Sequence, residues 1–131
     1  MQLAQRSILR KMVEEIGGSE RLGEIARLFY QRMSEDLMIG FFFEGRDLDH
    51  IAKQQTLFIL KAAGIAQNAS VKSPSQAHEE LPPILAGHFD RRIVILRQLL
   101  TELGVSPFVG KAWPEFEVSF RDMIVVPERS K

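Results

Sequence analysis

The stretch FFFEGRDLDHIAKQQTLFIL, residues 41–60, joins an aromatic corner to a segment with the periodicity of an amphipathic helix. At helical spacing, one face of this segment carries four apolar residues and one carboxamide. These residues are Ile51, Gln55, Phe58, Ile59 and Ala62. A buried amide that lacks a hydrogen-bond partner costs roughly 1–3 kcal/mol. Gln55 therefore lies at the edge of the apolar stripe or has a polar partner in the interior.

The composition is that of an ordinary globular chain. Its 131 residues suit one domain spanning residues 1–131, with 45% apolar and 26% charged side chains. The net charge is zero, which gives no basic surface for nucleic acid or anionic membranes. Cysteine is absent, which excludes disulfides, thiolate metal sites and cysteine catalysis. No apolar run reaches membrane-spanning length and the N-terminal MQLAQRSILRK has no signal-peptide core, so we expect a cytoplasmic protein.

Helical periodicity dominates the first half of the chain. A first helix is predicted from about Leu3 to Ile16, ended by Gly17 and Gly18. Ser19 is expected to cap a second helix that buries Leu22, Ile25, Ala26, Phe29 and Met33. A corner containing Gly40 and Gly45 follows, and Asp47 is expected to cap a third helix that ends near Ala63.

The second half continues the same pattern. Residues 64–72 are predicted to form a loop, and SPSQAHEELPP, residues 73–83, a short helix that carries His78 and is stopped by two prolines. A long helix is expected from about Gly87 to Leu103, with an inward face of Phe89, Ile93, Leu96, Leu100 and Leu103. Ser106-Pro107 begins the last helical region, which Pro114 is predicted to kink or restart. No segment alternates as a strand does, so the predicted class is all-α.

Four side chains could contribute to a functional site and lie on an apolar helix face, at the aromatic corner or on the short predicted helix: Tyr30, Phe43, Gln55 and His78. Each also has a purely structural interpretation. Tyr30 could be a core tyrosine whose hydroxyl reaches the surface, and Phe43 could be plain core. Gln55 could be an edge residue, and His78 a surface or capping residue.

Taken together, the four residues point to a cofactor. A single histidine is a poor basis for a zinc or di-iron centre, which needs several protein ligands. One imidazole facing an aromatic pocket is the usual way to hold haem iron, and the nine phenylalanines offer flat surfaces for a flat ligand. A tyrosine and a glutamine buried together could satisfy each other and also donate to a diatomic ligand.

Six short motifs occur in an order and spacing that resemble the truncated, two-over-two haemoglobins, most closely their group I. The motifs are IGGSERL, LFYQRM, FFFEGRDL, KQQTLFI, QAHEEL and GHFDRR with the following LTELGV. No single motif is specific, but the resemblance extends over roughly residues 12–125. It implies a two-over-two helical sandwich that binds haem.

The resemblance also implies a role for individual residues. His78 is similar in position to the proximal histidine on iron, and Phe43 to the phenylalanine that packs on the porphyrin. Tyr30 and Gln55 resemble the distal pair that donates to bound ligand. Five further residues are expected around the cofactor: Ile51 as an apolar distal wall, Phe58 and Ile59 along the inner pocket, and Leu81 and Phe89 in contact with the haem.

Four positions depart from the family pattern. Some relatives carry an iron-ligating histidine where this chain has Gln54, and glutamine is a poor iron ligand. His50 lies about 100° round the helix from Ile51 and should point toward the rim or solvent. Gly64 stands alone where a glycine pair is usual. Arg92 occupies a normally apolar position, and we expect it to extend its head outward to water, because a buried arginine would need an anionic partner.

The resemblance therefore implies a haem b protein that binds O2, and also NO or CO, reversibly at ferrous iron. Its role could be oxygen handling, or NO detoxification that depends on an external reductase, or sensing. The alternative, from another class, is a haem-free globin-like module that binds a protein partner. In that case Tyr30 and Gln55 would be ordinary core residues.

Overall fold

The computed structural model describes residues 2–66 and 81–126, and all the regular elements in this part of the chain are helices, as predicted. The helices are α1 (Gln2–Ile16), α2 (Ser19–Glu35), a 3₁₀ helix (Gly40–Phe43), α3 (Leu48–Ala62), α4 (Ala86–Glu102), α5 (Pro107–Val118) and α6 (Arg121–Ile124). Helix α2 packs against α3, α4 packs against α5, and α2 also contacts α4. These two packed pairs form the two-over-two sandwich, and α1 lies against α3 and α5.

The predicted helix boundaries are mostly confirmed. Gly17 and Gly18 end α1 with φ angles of 111° and 104°, a region that side chains other than glycine rarely adopt. Asp47 caps α3 by accepting from the backbone N–H of His50 at 3.1 Å. Ser106 caps α5 in the same way by accepting from Val109 at 3.3 Å.

One predicted helix cap is wrong, and one of the two outcomes predicted at Pro114 does not occur. Ser19 is the first residue of α2 rather than its cap, because Gly18 occupies the cap position. Helix α5 is not restarted at Pro114, which lies inside it and is buried with Trp113. The lost backbone hydrogen bond is outweighed by the packing of the residues on either side of the proline. The predicted short helix around His78 and most of the predicted loop lie outside the described residues.

The corner between α2 and α3 is held close to the end of α2. Asp36 accepts from the backbone N–H groups of Met38 and Ile39, and its other oxygen accepts from Arg91 on α4. These bonds, chiefly the one from the Arg91 guanidinium, hold the pKa of Asp36 below its usual value. Gly40 lies so near α2 that a Cβ atom there would stand 2.6 Å from the carbonyl oxygen of Ser34. The corner therefore places Phe42 and Phe43 against α2 and α4.

The core is continuous through both helix pairs. Its fully buried large side chains include Phe29, Leu96, Leu99, Leu100 and Trp113. In the last described segment, Val126 donates from its backbone to the carbonyl of Ile84 at 2.9 Å, which ties the end of the chain to the residues before α4. None of the described helices is long and apolar enough to cross a membrane.

Candidate functional site

A cavity of about 290 Å³ opens between α2, the 3₁₀ helix, α3, α4 and α5. Its walls are mainly apolar, and five phenylalanines line it: Phe42, Phe43, Phe58, Phe89 and Phe120. Polar side chains are gathered on one side, namely Tyr30, Gln55, Arg92 and Glu117. A largely apolar cavity with a few convergent polar groups is the usual form of a small-molecule site.

Most of the predicted site residues meet at this cavity. Seven of them line it: Tyr30, Phe43, Ile51, Gln55, Phe58, Leu81 and Phe89. Ile59 does not, because it lies about 100° round α3 from Phe58 and is fully buried in the core. His78 lies outside the described residues, although Leu81, three positions later in the sequence, lines the cavity.

Tyr30 is buried at the polar side of the cavity, with 6% of its surface exposed. Its ring contacts Phe29 at 5.6 Å between centroids and meets Phe43 edge-on at 5.8 Å. Burial raises the pKa of the Tyr30 hydroxyl, and the nearby guanidinium of Arg92 offsets this only in part. The hydroxyl therefore stays protonated near neutral pH and can donate a hydrogen bond.

The outward orientation predicted for Arg92 is wrong. Its side chain is 17% exposed, and Nη2 donates to Glu117 Oε1 at 2.8 Å and to the Tyr30 hydroxyl at 3.3 Å. The guanidinium carbon lies 4.9 Å from the centroid of the Phe29 ring, a cation–π distance. Burial lowers the pKa of Arg92, but the Glu117 carboxylate and Tyr30 outweigh it, so the pKa lies above its ordinary value. Arg92 stays inside because it has the anionic partner that a buried arginine needs.

Glu117 is the functional candidate that the sequence reasoning missed. Its side chain is 8% exposed, and Oε1 accepts from both Arg92 and Gln55. A signal was present, because Glu117 falls four residues after Trp113 and so shares its helix face. That position marks Glu117 as a buried charge that needs a partner, although it does not say which residue the partner is.

Gln55 has a different partner from the one expected. Its Nε2 donates to Glu117 Oε1 at 3.1 Å, whereas Tyr30 is bonded to Arg92. The expected direct bond between Tyr30 and Gln55 does not form among the described residues, since Arg92 and Glu117 connect the two side chains. Gln55 is half-buried rather than fully enclosed, as its place on the cavity wall requires.

The rim of the cavity carries basic and amide groups. Arg46 and His50 are exposed and line the opening, as predicted for His50, and Gln54 lies beside them half-buried. His88 also lines the cavity, where its Nδ1 accepts from the backbone N–H of Leu85 at 3.0 Å. That bond places the proton of the neutral ring on Nε2, so neither nitrogen of His88 offers a free lone pair to a metal.

Curated proteins and solved structures resemble this chain over most of its length. A group 1 truncated haemoglobin from Tetrahymena pyriformis is 32% identical over 112 residues, which cover 85% of this chain and 92% of that protein. The crystal structure of truncated haemoglobin from the same organism, in the Fe(III) form, superposes with a TM-score of 0.77 at 28% identity. It covers 88% of this chain and 98% of the other.

A second solved structure supports the fold alone. The 2/2 haemoglobin from Synechococcus sp. PCC 7002, in the cyanomet state and with covalently attached haem, has a TM-score of 0.75 at 23% identity. It covers 87% of this chain and 97% of that one. No protein-family model matches the chain.

Proposed function

Since the chain belongs to the group 1 truncated haemoglobins, we propose that it is a single haem-binding domain whose ferrous iron binds O2 reversibly, and NO or CO as well. Haem b is the proposed cofactor, and the absence of cysteine excludes thioether attachment of a haem vinyl group to a cysteine side chain. The iron would supply the ligand-binding position, and the side chains around the cavity would hold the cofactor and select the ligand.

The chemistry of the cavity fits a haem. Phenylalanine rings on several sides offer apolar, flat surfaces to a flat macrocycle. Arg46 and His50 at the exposed rim suit the two carboxylates that a haem carries at one edge. Among the described residues, the buried polar groups stand together on one side of the cavity, which fits a ligand that is apolar over most of its surface.

His78 is the residue that we propose would bind the iron. Two observations support it besides the family resemblance. Leu81, close to it in sequence, borders the cavity, and the Nδ1 atom of His88 already accepts a backbone hydrogen bond. His50 is not the proposed ligand, because it is exposed and lies on α3, the helix that carries the proposed distal residues Ile51 and Gln55.

The observation that carries the proposal is the polar cluster of Tyr30, Gln55, Arg92 and Glu117 at the wall of an otherwise apolar cavity. A buried ion pair with two neutral partners brings little stability over apolar packing. Its presence is explained if the cavity holds a ligand that needs hydrogen-bond donors. Tyr30 and Gln55 are the proposed donors to that ligand.

The same site suits oxygen handling or NO oxygenation. The second reaction would consume one electron from the ferrous haem protein, so a reductase of another chain would have to return that electron. Consumption of NO by the oxygenated protein, with and without an electron donor, distinguishes the two roles.

The test of the proposal is haem uptake through His78. The purified chain should show a Soret band, and His78→Ala should abolish stable haem incorporation or leave the haem loosely held. His50→Ala and His88→Ala serve as matched controls and should keep a normal proximal-imidazole spectrum. If the His78 variant keeps that spectrum while one of the controls loses it, the assignment is wrong.

A further inference from the structure

Arg92 and Glu117 form a bridge between the two proposed distal donors. Both hydrogens of Arg92 Nη2 are committed, one to the Tyr30 oxygen at 3.3 Å and one to Glu117 Oε1 at 2.8 Å. The same carboxylate oxygen accepts from Gln55 Nε2 at 3.1 Å. The bridge thus joins α2, α3, α4 and α5 at a single wall of the cavity.

The Arg92 bond decides what the Tyr30 hydroxyl can do. A guanidinium only donates, so the phenolic oxygen must accept, and its own hydrogen has to point elsewhere. Among the described residues no group accepts that hydrogen, and Tyr30 lines the cavity. Arg92 therefore leaves Tyr30 as a donor toward the cavity.

The Glu117 bond decides which end of the Gln55 amide faces α5. A carboxylate only accepts, so the amino group of Gln55 must turn toward it, and the opposite orientation would set two acceptors against each other. The amide then keeps its second N–H for another acceptor. Glu117 can do this because Arg92 compensates its charge in the buried wall.

We propose that Arg92 and Glu117 are positioning residues of the ligand site, which set Tyr30 and Gln55 as donors to the ligand and prevent them from bonding each other. This inference rests on the proposed function, because it concerns donors to a ligand in the same cavity. It extends the function to two cavity-wall residues that act on the ligand through Tyr30 and Gln55.

Removing Arg92 should withdraw Tyr30 from the ligand. The Tyr30 and Glu117 oxygens share one guanidinium nitrogen, so without Arg92 the hydroxyl can donate to the carboxylate instead. Arg92→Met should then speed O2 release roughly two- to tenfold, the loss expected for one hydrogen bond. Adding Glu117→Leu removes the competing acceptor and should return O2 release part of the way toward the original rate.

A first experiment measures the pKa of Tyr30 directly and does not depend on ligand-binding rates. The chain has a single tyrosine, so ¹³Cζ-labelled tyrosine gives one NMR resonance whose titration reports its pKa. The diamagnetic CO form is titrated for the wild type, Arg92→Met, Glu117→Gln and the control Arg91→Met. The Arg91 guanidinium bonds Asp36 outside the cavity, so this control should leave the resonance unchanged.

The two bridge variants should shift the Tyr30 pKa in opposite directions. Arg92 lowers that pKa by its charge and its hydrogen bond, whereas Glu117 raises it. Arg92→Met should therefore raise the pKa and Glu117→Gln should lower it. Shifts in the same direction would indicate general loosening of the wall and would overturn the proposal, as would no shift in either variant.

The second experiment compares O2 and CO dissociation in the same proteins and in Arg92→Met/Glu117→Leu. Faster O2 release in Arg92→Met, partly reversed in the double variant, supports the positioning role. Unchanged O2 release with haem normally bound overturns it. If the wild type takes up no haem, the proposed function fails, and the titration of the haem-free chain still decides whether the bridge controls Tyr30.

Discussion

Gln55 and Glu117 lie 62 residues apart in the sequence, yet the amide of Gln55 donates to the carboxylate of Glu117 at 3.1 Å across the cavity wall. This contact ties α3 to α5, and Arg92 extends it to Tyr30 on α2. The amide in the apolar stripe of α3 is thus explained by a partner on another helix. The buried charges of Arg92 and Glu117 compensate each other. This pairing should affect the free energy of unfolding.

Removing one member of the Arg92–Glu117 pair should destabilise the fold much more than removing both. Glu117→Leu leaves a largely buried guanidinium without its anion, which costs about 3–5 kcal/mol in comparable pairs. The double variant Arg92→Met/Glu117→Leu leaves no uncompensated charge and should recover most of that loss. Urea unfolding of the wild type, both single variants and the double variant, with haem content held equal, measures this cycle.

The exposed pair Arg27–Asp49 provides a matched control for the cycle. Its two side chains are 65% and 82% exposed and lie 3.7 Å apart. Solvent screens such a pair, so Asp49→Leu should change the free energy of unfolding very little. Additive losses from Arg92→Met and Glu117→Leu would contradict the interpretation of a buried, interdependent pair.

Local signals predicted the helices well. The glycine pair after α1 and the caps at Asp47 and Ser106 depend on residues within one turn, and the sequence displays them directly. The predicted alternative of a restart at Pro114 does not occur, because the effect of a proline depends on tertiary packing, here around Trp113, as well as on the proline itself. In this chain, the ends of helices are therefore easier to predict from the sequence than whether a helix continues through a proline.

Only part of the candidate site could be predicted from the sequence, because contacts between distant helices decide the rest. Tyr30, Phe43, Gln55 and Phe58 fall on apolar helix faces or at the corner, where periodicity and the family resemblance both single them out. Arg92 and Glu117 are 25 residues apart on different helices, and their pairing depends on how α4 packs against α5. No local rule predicts a partner at that distance, so Arg92 was expected to point outward.

Loss of either proposed distal donor should speed O2 release. Tyr30→Phe or Gln55→Leu removes one donor, and a hydrogen bond of about 0.5–1.5 kcal/mol corresponds to roughly two- to tenfold. CO is less polar than O2 as a ligand, so its dissociation should change less. The effects should not add in the double variant, because the Arg92–Glu117 bridge couples the two side chains.

Stopped-flow dissociation of O2 and CO measures both effects. Gln31→Leu is the control, because Gln31 is an exposed glutamine on α2 whose amide bonds Glu35 away from the cavity. Unchanged O2 release in both single variants and the double variant, with haem bound through His78, would disprove the role of the distal pair.

The reduced protein without added gas should be mainly five-coordinate. Ile51 cannot bind iron and Gln54 is a poor ligand, although both line the cavity. The ferrous absorption spectrum should therefore be high-spin. Gln54→His introduces an imidazole at the position from which some relatives ligate iron, and this variant should shift the spectrum to low-spin. A low-spin ferrous spectrum in the wild type would instead require a sixth ligand such as His50.

Gly40→Ala should destabilise the fold, and Gly110→Ala should stabilise it. A Cβ at Gly40 would stand 2.6 Å from the Ser34 carbonyl oxygen, so the 3₁₀ helix must move away from α2 at a cost of about 1–3 kcal/mol. A Cβ at Gly110 meets nothing within 4 Å, and alanine inside a helix is favoured over glycine by roughly 0.5–1 kcal/mol.

The two alanine variants differ in their expected effect on the cavity as well. Gly40 begins the 3₁₀ helix that carries Phe42 and Phe43 to the cavity wall, whereas Gly110 lies on α5 away from it. Gly40→Ala should therefore also speed haem transfer to an acceptor protein, and Gly110→Ala should leave the transfer rate unchanged. Equal unfolding midpoints and equal transfer rates in the two variants would show that the corner is not held by its close approach to α2.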